Sequence, residues 1–263
     1  MVNLSFTSLN SLNKVALILD IDGVIRDVSS SYHRALADTV EHFTNNAYRP
    51  RSEDIDLLKT EGVWNNDWQA SQELIKRYSV KTGLNIEVEY EAIVEFFQGR
   101  YRGTNLDHWT GYITTEPLIA TPAYFQALTA AGVKWGFFSG ATRASATYVL
   151  DRLNISSPVL VAMEDAPGKP DPTGLYQAVQ KLDDPNIVIY AGDTAADMLT
   201  VCNARNNSSS QNLKYIAIGI LPPHVHHQNP EAYTEMLKLN GADMVVKSVL
   251  DLTSERIIDL IQN

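Results

Sequence analysis

The sequence predicts an α/β fold in which a doubly wound parallel sheet carries an inserted α-helical domain. Three observations support this prediction. Short apolar runs recur along the chain, helical patterns lie between them, and one long stretch contains helical patterns alone. Strands that alternate with helices in this way form a parallel sheet with helices packed on its faces.

The apolar runs predict six buried strands. Most of the runs consist of β-branched or aromatic residues and end at Asp, Ser or Gly. Runs that are apolar throughout, rather than alternating, are typical of parallel strands covered on both faces. The predicted strands comprise residues 15–19, 133–138, 158–161, 187–190, 215–218 and 244–246.

Helical patterns separate these runs. Thr121 and Pro122 indicate the start of one helix, because a hydroxyl can cap the first turn and proline suits the first helical position. Gly132 indicates the end of that helix. Further helices are predicted over residues 142–153, 173–182, 194–204, 230–239 and 248–261, with irregular loops at 206–212 and 221–230.

Residues from about 29 to 116 interrupt the alternation and predict the inserted domain. Tyr32, Leu36, Val40 and Phe43 recur at helical spacing, and another helical pattern covers roughly residues 87–100. This stretch contains no clear strand pattern. The sequence therefore predicts an α/β core of residues 1–28 and 117–263, and a helical domain of residues 29–116.

Composition restricts the partners and the compartment. The chain has 263 residues, with 21 basic and 31 acidic side chains and a net charge of −10. Such a surface repels nucleic acid and anionic membranes, so we expect neither as a partner. A single cysteine excludes an intrachain disulfide, and no apolar run is long enough to span a membrane. Since the first 14 residues also lack the pattern of a signal peptide, we expect a cytoplasmic protein.

Polar residues follow four of the predicted strands. In open α/β sheets, ligands bind at the carboxyl ends of the strands, so we expect these side chains to share one site. They are Asp20 and Asp22 after the first strand, Ser139 and Gly140 after the second, Lys169 in the loop after the third, and Asp193 with Asp197 after the fourth.

This set of side chains suits phosphoryl transfer, which needs an in-line nucleophile, charge neutralisation and a proton for the leaving group. Asp20, where the strand ends, is the expected nucleophile, and Asp22 is the expected general acid and then general base. Lys169 adds positive charge. We expect Ser139, with the amides after it, to bind phosphate oxygens and also to cap a helix. The clustered carboxylates require a cation, and Mg²⁺ fits because it prefers oxygen ligands.

The four motifs, in this order, resemble those of the haloacid dehalogenase superfamily, and the resemblance spans nearly the whole chain. It implies a Rossmann-like core with the type-1 helical cap of the phosphoglycolate phosphatase and β-phosphoglucomutase branch. It also implies that Mg²⁺ is bound by the carboxylates of Asp20 and Asp193 and by the main-chain carbonyl of Asp22, with Asp197 supporting it directly or through water. In this family an aspartate at position 22 favours phosphate esters over carbon–halogen or carbon–phosphorus bonds.

The segment GVWNNDWQ, residues 62–69, joins two helices of the predicted cap. The resemblance implies that Trp64, Asn66, Asp67 and Trp68 belong to a loop that binds the substrate. From the residues alone, the tryptophans are at least as well explained by packing, and Asn66 and Asp67 by a helix start. Further candidates with weaker support are Arg100, Arg102 and Arg143 for anion binding, and the loop histidines His224, His226 and His227.

The sequence thus predicts a Mg²⁺-dependent phosphatase for a small phosphorylated metabolite, such as a sugar phosphate or a similar organic phosphate. Two alternatives stay open. One is a phosphomutase of the β-phosphoglucomutase type, and the other is a catalytically silent binding protein that kept the fold. The individual substrate and the oligomeric state are not predicted.

Overall fold

The computed structural model describes residues 12–64, 66–105, 108–183, 185–207, 213–227 and 229–262. The prediction about a signal peptide and most of the predicted loop 206–212 fall outside these residues. The chain divides into two compact units. One comprises Met1–Asp27 and Leu118–Asn263, and the other comprises Val28–Pro117.

The first unit contains a six-stranded sheet in which all neighbouring strands are parallel. Its strands are β1 (Val15–Leu19), β2 (Lys134–Phe138), β3 (Leu160–Val161), β4 (Ile187–Gly192), β5 (Lys214–Ile220) and β6 (Met244–Val246). Their order across the sheet is β3-β2-β1-β4-β5-β6, so the direction of winding reverses beside β1. The predicted fold class is confirmed. The reversal places the ligand crevice of such a sheet at the carboxyl ends of β1 and its neighbours.

Strand β1 lies in the middle of the sheet, between β2 and β4, and all five of its residues are buried. Leu17 and Leu19 pack into the apolar layer on one face, whereas Ala16 and Ile18 pack into the layer on the other. Successive side chains of a strand point to opposite faces, and here both faces are covered. This explains why the run that leads to Asp20 is apolar at every position.

The second unit is helical among its described residues. Its helices are α1 (Tyr32–Phe43), α2 (Ser52–Lys59), α3 (Asp67–Thr82) and α4 (Tyr90–Tyr101), followed by a 3₁₀ turn at Tyr112–Thr115. Of the residues that recur at helical spacing along α1, Tyr32, Leu36 and Val40 are buried. The Tyr32 ring packs 5.5 Å from the ring of Phe97 and 4.4 Å from that of Tyr101, both on α4. Aromatic packing therefore joins the first and last helices of this unit.

The remaining helices pack on the sheet. They are α5 (Pro122–Ala130), α6 (Arg143–Arg152), α7 (Thr173–Gln180), α8 (Ala195–Asn206), α9 (Pro230–Leu239) and α10 (Ser254–Gln262). Helix α5 begins as predicted, with the Thr121 hydroxyl accepting a hydrogen bond from the Tyr124 amide at 3.3 Å.

The single helix predicted over residues 248–261 is wrong. A 3₁₀ turn at Val249–Asp251 precedes α10, because the Ser248 amide donates to the Asp251 carboxylate at 3.0 Å and closes a capping box around that turn. The Thr253 hydroxyl then accepts from the Arg256 amide at 3.3 Å and starts a new helix. The two capping residues, Ser248 and Thr253, thus lie within six residues of sequence. The spacing of apolar residues does not reveal them.

Among the helices of the described residues, none is both long enough and apolar enough to cross a membrane.

Candidate active site

The carboxyl ends of the strands bring the predicted polar residues together. The Asp20 amide donates to the Ala191 carbonyl at 2.9 Å, which extends the pairing of β1 with β4 by one residue. The Ser139 amide donates to the Val161 carbonyl at 3.0 Å, in the same position relative to β3. Asp20 and Ser139 are therefore held at one edge of the sheet by main-chain hydrogen bonds.

Lys169 lies between two of the carboxylates. Its Nζ is 2.8 Å from Asp20 Oδ2 and 2.6 Å from Asp197 Oδ1, and all three side chains are buried. Burial by itself would lower the pKa of Lys169, but the charges of Asp197 and Asp20 outweigh burial and raise that pKa above its ordinary value. The ammonium charge is therefore permanent at physiological pH.

Burial dominates at the expected nucleophile. Burial raises the pKa of Asp20 from 3.8 to about 6, although Lys169 opposes the shift. The neighbouring charges of Asp197 and Asp22 add to the increase. The other carboxylate oxygen of Asp20, Oδ1, accepts a hydrogen bond from the Ile21 amide at 2.7 Å, which fixes the carboxylate in one orientation. A cation close to this group would restore its charged form.

Asp197 is held by donors at both of its oxygens. Oδ1 accepts from Lys169 at 2.6 Å and from the Tyr190 hydroxyl at 2.9 Å. Oδ2 accepts from the Thr194 amide at 2.9 Å and from the Thr194 hydroxyl at 2.6 Å, in a capping box at the start of α8. An ionised carboxylate has about four acceptor sites, so these bonds occupy Asp197 and orient it towards Lys169.

Tyr190 is a site residue that the sequence did not reveal. Its hydroxyl bonds Asp197, and the Lys169 ammonium lies 5.4 Å from its ring centre and 5.2 Å from that of Phe138. Burial raises the pKa of Tyr190 well above its ordinary value, and the charge of Asp197 raises it further, so the hydroxyl stays a donor. Tyr190 lies inside an apolar strand, where its pattern predicts only packing in the core.

Gly23 and Asp193 form a close contact at the turn after β1. Gly23 has φ +71°, and a Cβ built on it would lie 2.0 Å from Asp193 Oδ2. Only glycine adopts this conformation without cost and leaves space for the carboxylate. The turn that carries Asp22 and the carboxylate after β4 are thereby brought into contact.

The carboxylates form a cluster that fits a divalent cation. Asp20, Asp193 and Asp197 each offer an oxygen, and these atoms lie within 4.8 Å of one another. In their ionised forms the three carry three negative charges, against the single positive charge of Lys169. Oxygen ligands and an excess of two negative charges suit a hard divalent cation.

Asp22 is paired with an arginine. Arg26 Nε and Nη2 both lie 2.6 Å from Asp22 Oδ1. The Arg26 side chain is fully buried, whereas a quarter of the Asp22 side chain is exposed. Arg26 had no predicted role, because a charged residue in the loop after a strand is most simply interpreted as a surface residue.

The sequence and the fold agree with a known family. A family model for haloacid dehalogenase-like hydrolases matches residues 15–204, which cover more than half of the chain. The chain belongs to this family. The predicted family and the prediction of an enzyme are therefore confirmed.

Three similar proteins share between 19% and 28% of their aligned residues with this chain. An imidazoleglycerol-phosphate dehydratase from Phytophthora nicotianae is 28% identical over 240 residues, which are 88% of this chain and 50% of that protein. The hydrolase thus spans about half the length of this relative. A hydrolase structure from Pseudomonas syringae is 19% identical with a TM-score of 0.65, covering 94% of this chain and 99% of that one. A structure provisionally assigned as a phosphoglycolate phosphatase, from Lactobacillus delbrueckii subsp. bulgaricus, is 20% identical with a TM-score of 0.54, covering 95% and 98%.

Ser139 departs in part from its predicted role in this hydrolase. Its hydroxyl accepts from the Ala141 amide at 3.2 Å, across the half-buried Gly140. The residue that caps α6 is Thr142, whose hydroxyl accepts from the Ser145 amide at 3.4 Å. The expected helix cap at Ser139 is therefore wrong, because the chain makes a further turn before the helix begins. Arg143, the first residue of α6, pairs with Asp165.

The four predicted cap residues lie together in the helical unit. The Trp64 Nε1 donates to Glu61 at 2.6 Å, and Trp64 lines a cavity of about 730 Å³ beside α3. Asn66 caps α3, accepting from the Trp68 amide at 2.9 Å, and Asp67 pairs with Lys59 at 2.7 Å. These contacts give Asn66 and Asp67 local structural roles, and substrate contact by the four residues remains a prediction.

Other polar candidates also have local partners. Arg100 Nε lies 3.9 Å from Asp38 Oδ2, and the Arg102 guanidinium lies 5.0 Å from the Trp109 ring. His226 Nε2 lies 3.0 Å from the Leu221 carbonyl and 2.9 Å from that of Lys247. His226 thereby ties its 3₁₀ turn at Pro223–His227 to the end of β6.

Proposed function

We propose that this hydrolase is a Mg²⁺-dependent phosphatase that cleaves a small phosphate monoester through an aspartyl-phosphate on Asp20. The observation that carries the proposal is the placement of Asp20 at the end of β1, with the Lys169 ammonium 2.8 Å from its Oδ2. A carboxylate beside a fixed positive charge suits attack on a dianionic phosphoryl group, since the charge offsets the repulsion between the two anions.

Mg²⁺ would be held by the carboxylates of Asp20 and Asp193 and by the main-chain carbonyl of Asp22. When bound, it supplies positive charge that stabilises the transferring phosphoryl group. Asp197 has both oxygens engaged by Lys169, Tyr190 and Thr194, which supports an indirect role through water and through Lys169. Ser139 and Gly140 are proposed to bind phosphate oxygens at the same edge of the sheet.

Two proton transfers by Asp22 complete the reaction. As Asp20 bonds to phosphorus, the bond to the leaving oxygen breaks, and that oxygen keeps the electron pair and takes the proton of Asp22. Water then attacks the aspartyl-phosphate, and its proton passes to Asp22 as Asp20 leaves. Asp22 is partly exposed, as a group that exchanges protons with substrate and water must be.

The helical unit is proposed to select the substrate. We assign residues 29–116 as a cap domain in which Trp64, Asn66, Asp67 and Trp68 contact the organic part of the phosphate ester. The proposed compartment is the cytoplasm, where small phosphorylated metabolites and Mg²⁺ occur together.

A panel of phosphorylated metabolites, assayed for phosphate release with Mg²⁺ and with EDTA, tests the proposal. Sugar phosphates belong in the panel, and so do imidazole-bearing phosphate esters, because the name of the Phytophthora relative refers to such a compound. We expect Mg²⁺-dependent release that Asp20→Asn abolishes while the fold is retained. Normal metal-dependent hydrolysis by Asp20→Asn would refute the mechanism. Phosphoryl exchange within a sugar, without phosphate release, would identify the phosphomutase instead.

A further inference from the structure

A fully buried arginine contacts the proposed proton donor. Arg26 has no exposed surface, and its Nε and Nη2 both lie 2.6 Å from Asp22 Oδ1. Arginine keeps its charge at any physiological pH. Burying that charge costs several kcal/mol unless it is paired and hydrogen-bonded. An apolar residue would fill this position at a lower cost, so the arginine needs an explanation beyond packing.

The main chain fixes the position of Arg26 relative to Asp22. The Arg26 amide donates to the Ile21 carbonyl at 3.1 Å, and the Arg26 carbonyl accepts from the Gly23 amide at 2.9 Å. Short bridges also pair Arg26 with Asp22 and with Leu118. The loop after β1 therefore folds back on itself, and the arginine side chain starts from a fixed point beside Asp22.

We propose that Arg26 is a positioning residue for the phosphatase reaction. It holds Asp22 by Oδ1 and so presents Oδ2 to the leaving oxygen of the substrate. The inference rests on the proposed function, in which Oδ2 gives its proton to the leaving oxygen as the phosphorus–oxygen bond breaks. A carboxylate that can rotate freely spends less time in the geometry that proton transfer requires.

The competing explanation is that the pair contributes to folding alone. Both explanations predict that loss of Arg26 destabilises the protein. They differ in how the loss of Arg26 affects kcat/KM. A folding role alone changes kcat/KM by the same factor for all substrates, whereas a positioning role matters most for poor leaving groups and acts on kcat/KM only through the Asp22 carboxylate.

The test compares phenyl phosphate with p-nitrophenyl phosphate at saturating Mg²⁺. The two esters are similar in shape, but phenol is the weaker acid and needs more help from a general acid. The parameter is kcat/KM, because it covers the steps up to departure of the leaving group. We expect Arg26→Met to lower kcat/KM about tenfold or more for phenyl phosphate, and less than about threefold for p-nitrophenyl phosphate, since general acid catalysis contributes about 10²- to 10⁴-fold.

Combined variants show whether Arg26 acts through Asp22. In the Asp22→Asn background, Arg26→Met should have no further effect on kcat/KM for either ester. Arg26→Lys should recover part of the loss, because its ammonium can still donate to Asp22. If Arg26→Met does not fold, Arg26→Lys alone and with Asp22→Asn provides the same comparison.

Arg205→Met is the control for loss of an arginine–carboxylate pair elsewhere in the same unit, since Arg205 is an exposed arginine that pairs with Asp243. It should leave the ratio of kcat/KM between the two esters unchanged. Equal losses on both esters, or full additivity with Asp22→Asn, would overturn the inference. Phosphate release by the native protein that Asp20→Asn abolishes establishes the proposed function independently of Arg26. If the native protein hydrolyses neither these esters nor the metabolite panel, both proposals fail.

Discussion

The Tyr190 hydroxyl donates to Asp197 Oδ1 at 2.9 Å, the same oxygen that accepts from Lys169. The tyrosine therefore contacts the proposed active site through a buried carboxylate. One strand residue thus links the interior of the sheet to its functional edge.

Removal of this hydroxyl should weaken both the fold and catalysis. Tyr190→Phe retains the ring beside Lys169 but leaves Asp197 with one donor fewer, so we expect a loss of about 1–3 kcal/mol in unfolding free energy. We also expect a several-fold lower kcat. Tyr124→Phe is the control, since its buried hydroxyl bonds the Leu252 carbonyl at 3.3 Å. It should lower stability, measured by urea unfolding, without lowering kcat, and equal loss of kcat in both variants would contradict the link.

Loss of the lysine should be more damaging. Lys169→Met leaves the carboxylates of Asp20 and Asp197 buried without their shared cation, and breaking such a pair costs about 3–5 kcal/mol. Urea unfolding in EDTA should show this loss, and added Mg²⁺ should recover part of it by binding the folded state. Phosphate release should fall below detection. An Mg²⁺-insensitive stability would show that the carboxylate cluster does not bind the ion.

Neutralising Asp20, the proposed nucleophile, should stabilise the metal-free protein at neutral pH. The pKa of Asp20 is raised from 3.8 to about 6, so its contribution to stability is complete below pH 3.8 and is lost as the pH rises through 6. At about 1.4 kcal/mol per unit, the loss is at most about 3 kcal/mol. Asp20→Asn removes this loss. We expect its advantage in Tm, in EDTA, to be large at pH 7.5, about half as large at pH 5 and small below pH 3.8.

Asp171→Asn provides a control of opposite sign. The side chain of Asp171 bonds Thr173, which lowers the pKa of Asp171 and makes the charged form the stabilising one. Its replacement should therefore lower Tm at neutral pH rather than raise it. A decrease in Tm for Asp20→Asn at pH 7.5 would show that burial does not dominate at that carboxylate.

The glycine after the two aspartates should tolerate no side chain. In Gly23→Ala, the new Cβ meets Asp193 Oδ2 at 2.0 Å in addition to the strain of a positive φ. Gly83→Ala is a close control, because φ there is +70° and nothing lies within 4 Å of the new atom. The control should cost about 1 kcal/mol, as expected for backbone strain alone. Gly23→Ala should cost more and should weaken Mg²⁺ binding measured by calorimetry, and equal costs would exclude the contact.

The grouping of the polar residues at the strand ends could be predicted from the sequence for a clear reason. Parallel strands place their carboxyl ends at one edge, so Asp20, Ser139, Lys169 and Asp193 could be expected to meet once the runs before them were recognised as strands. The observed sheet order places β1 between β2 and β4, with β3 next to β2. The boundaries of the last helix were harder to predict. Hydrogen bonds of Ser248 and Thr253 form a 3₁₀ turn and then start a separate helix within one apolar pattern.

The partners of these residues could not be expected in the same way. Arg26 looks like a surface residue and Tyr190 like a core residue, yet one bonds Asp22 and the other bonds Asp197. A hydrogen bond depends on the distance and angle between individual atoms, and periodicity describes only which face of an element a residue occupies.

The sequence by itself determined the fold class, the family and the set of acidic and basic residues at the sheet edge, because these follow from apolar runs and from the residues that end them. Only the tertiary structure decided which oxygen meets which donor. It assigned Lys169 to both Asp20 and Asp197, and it brought a buried arginine to Asp22. These pairings depend on how the folded chain places individual atoms within 3 Å of each other, and the free energy that maintains this placement comes from the whole core rather than from any one motif.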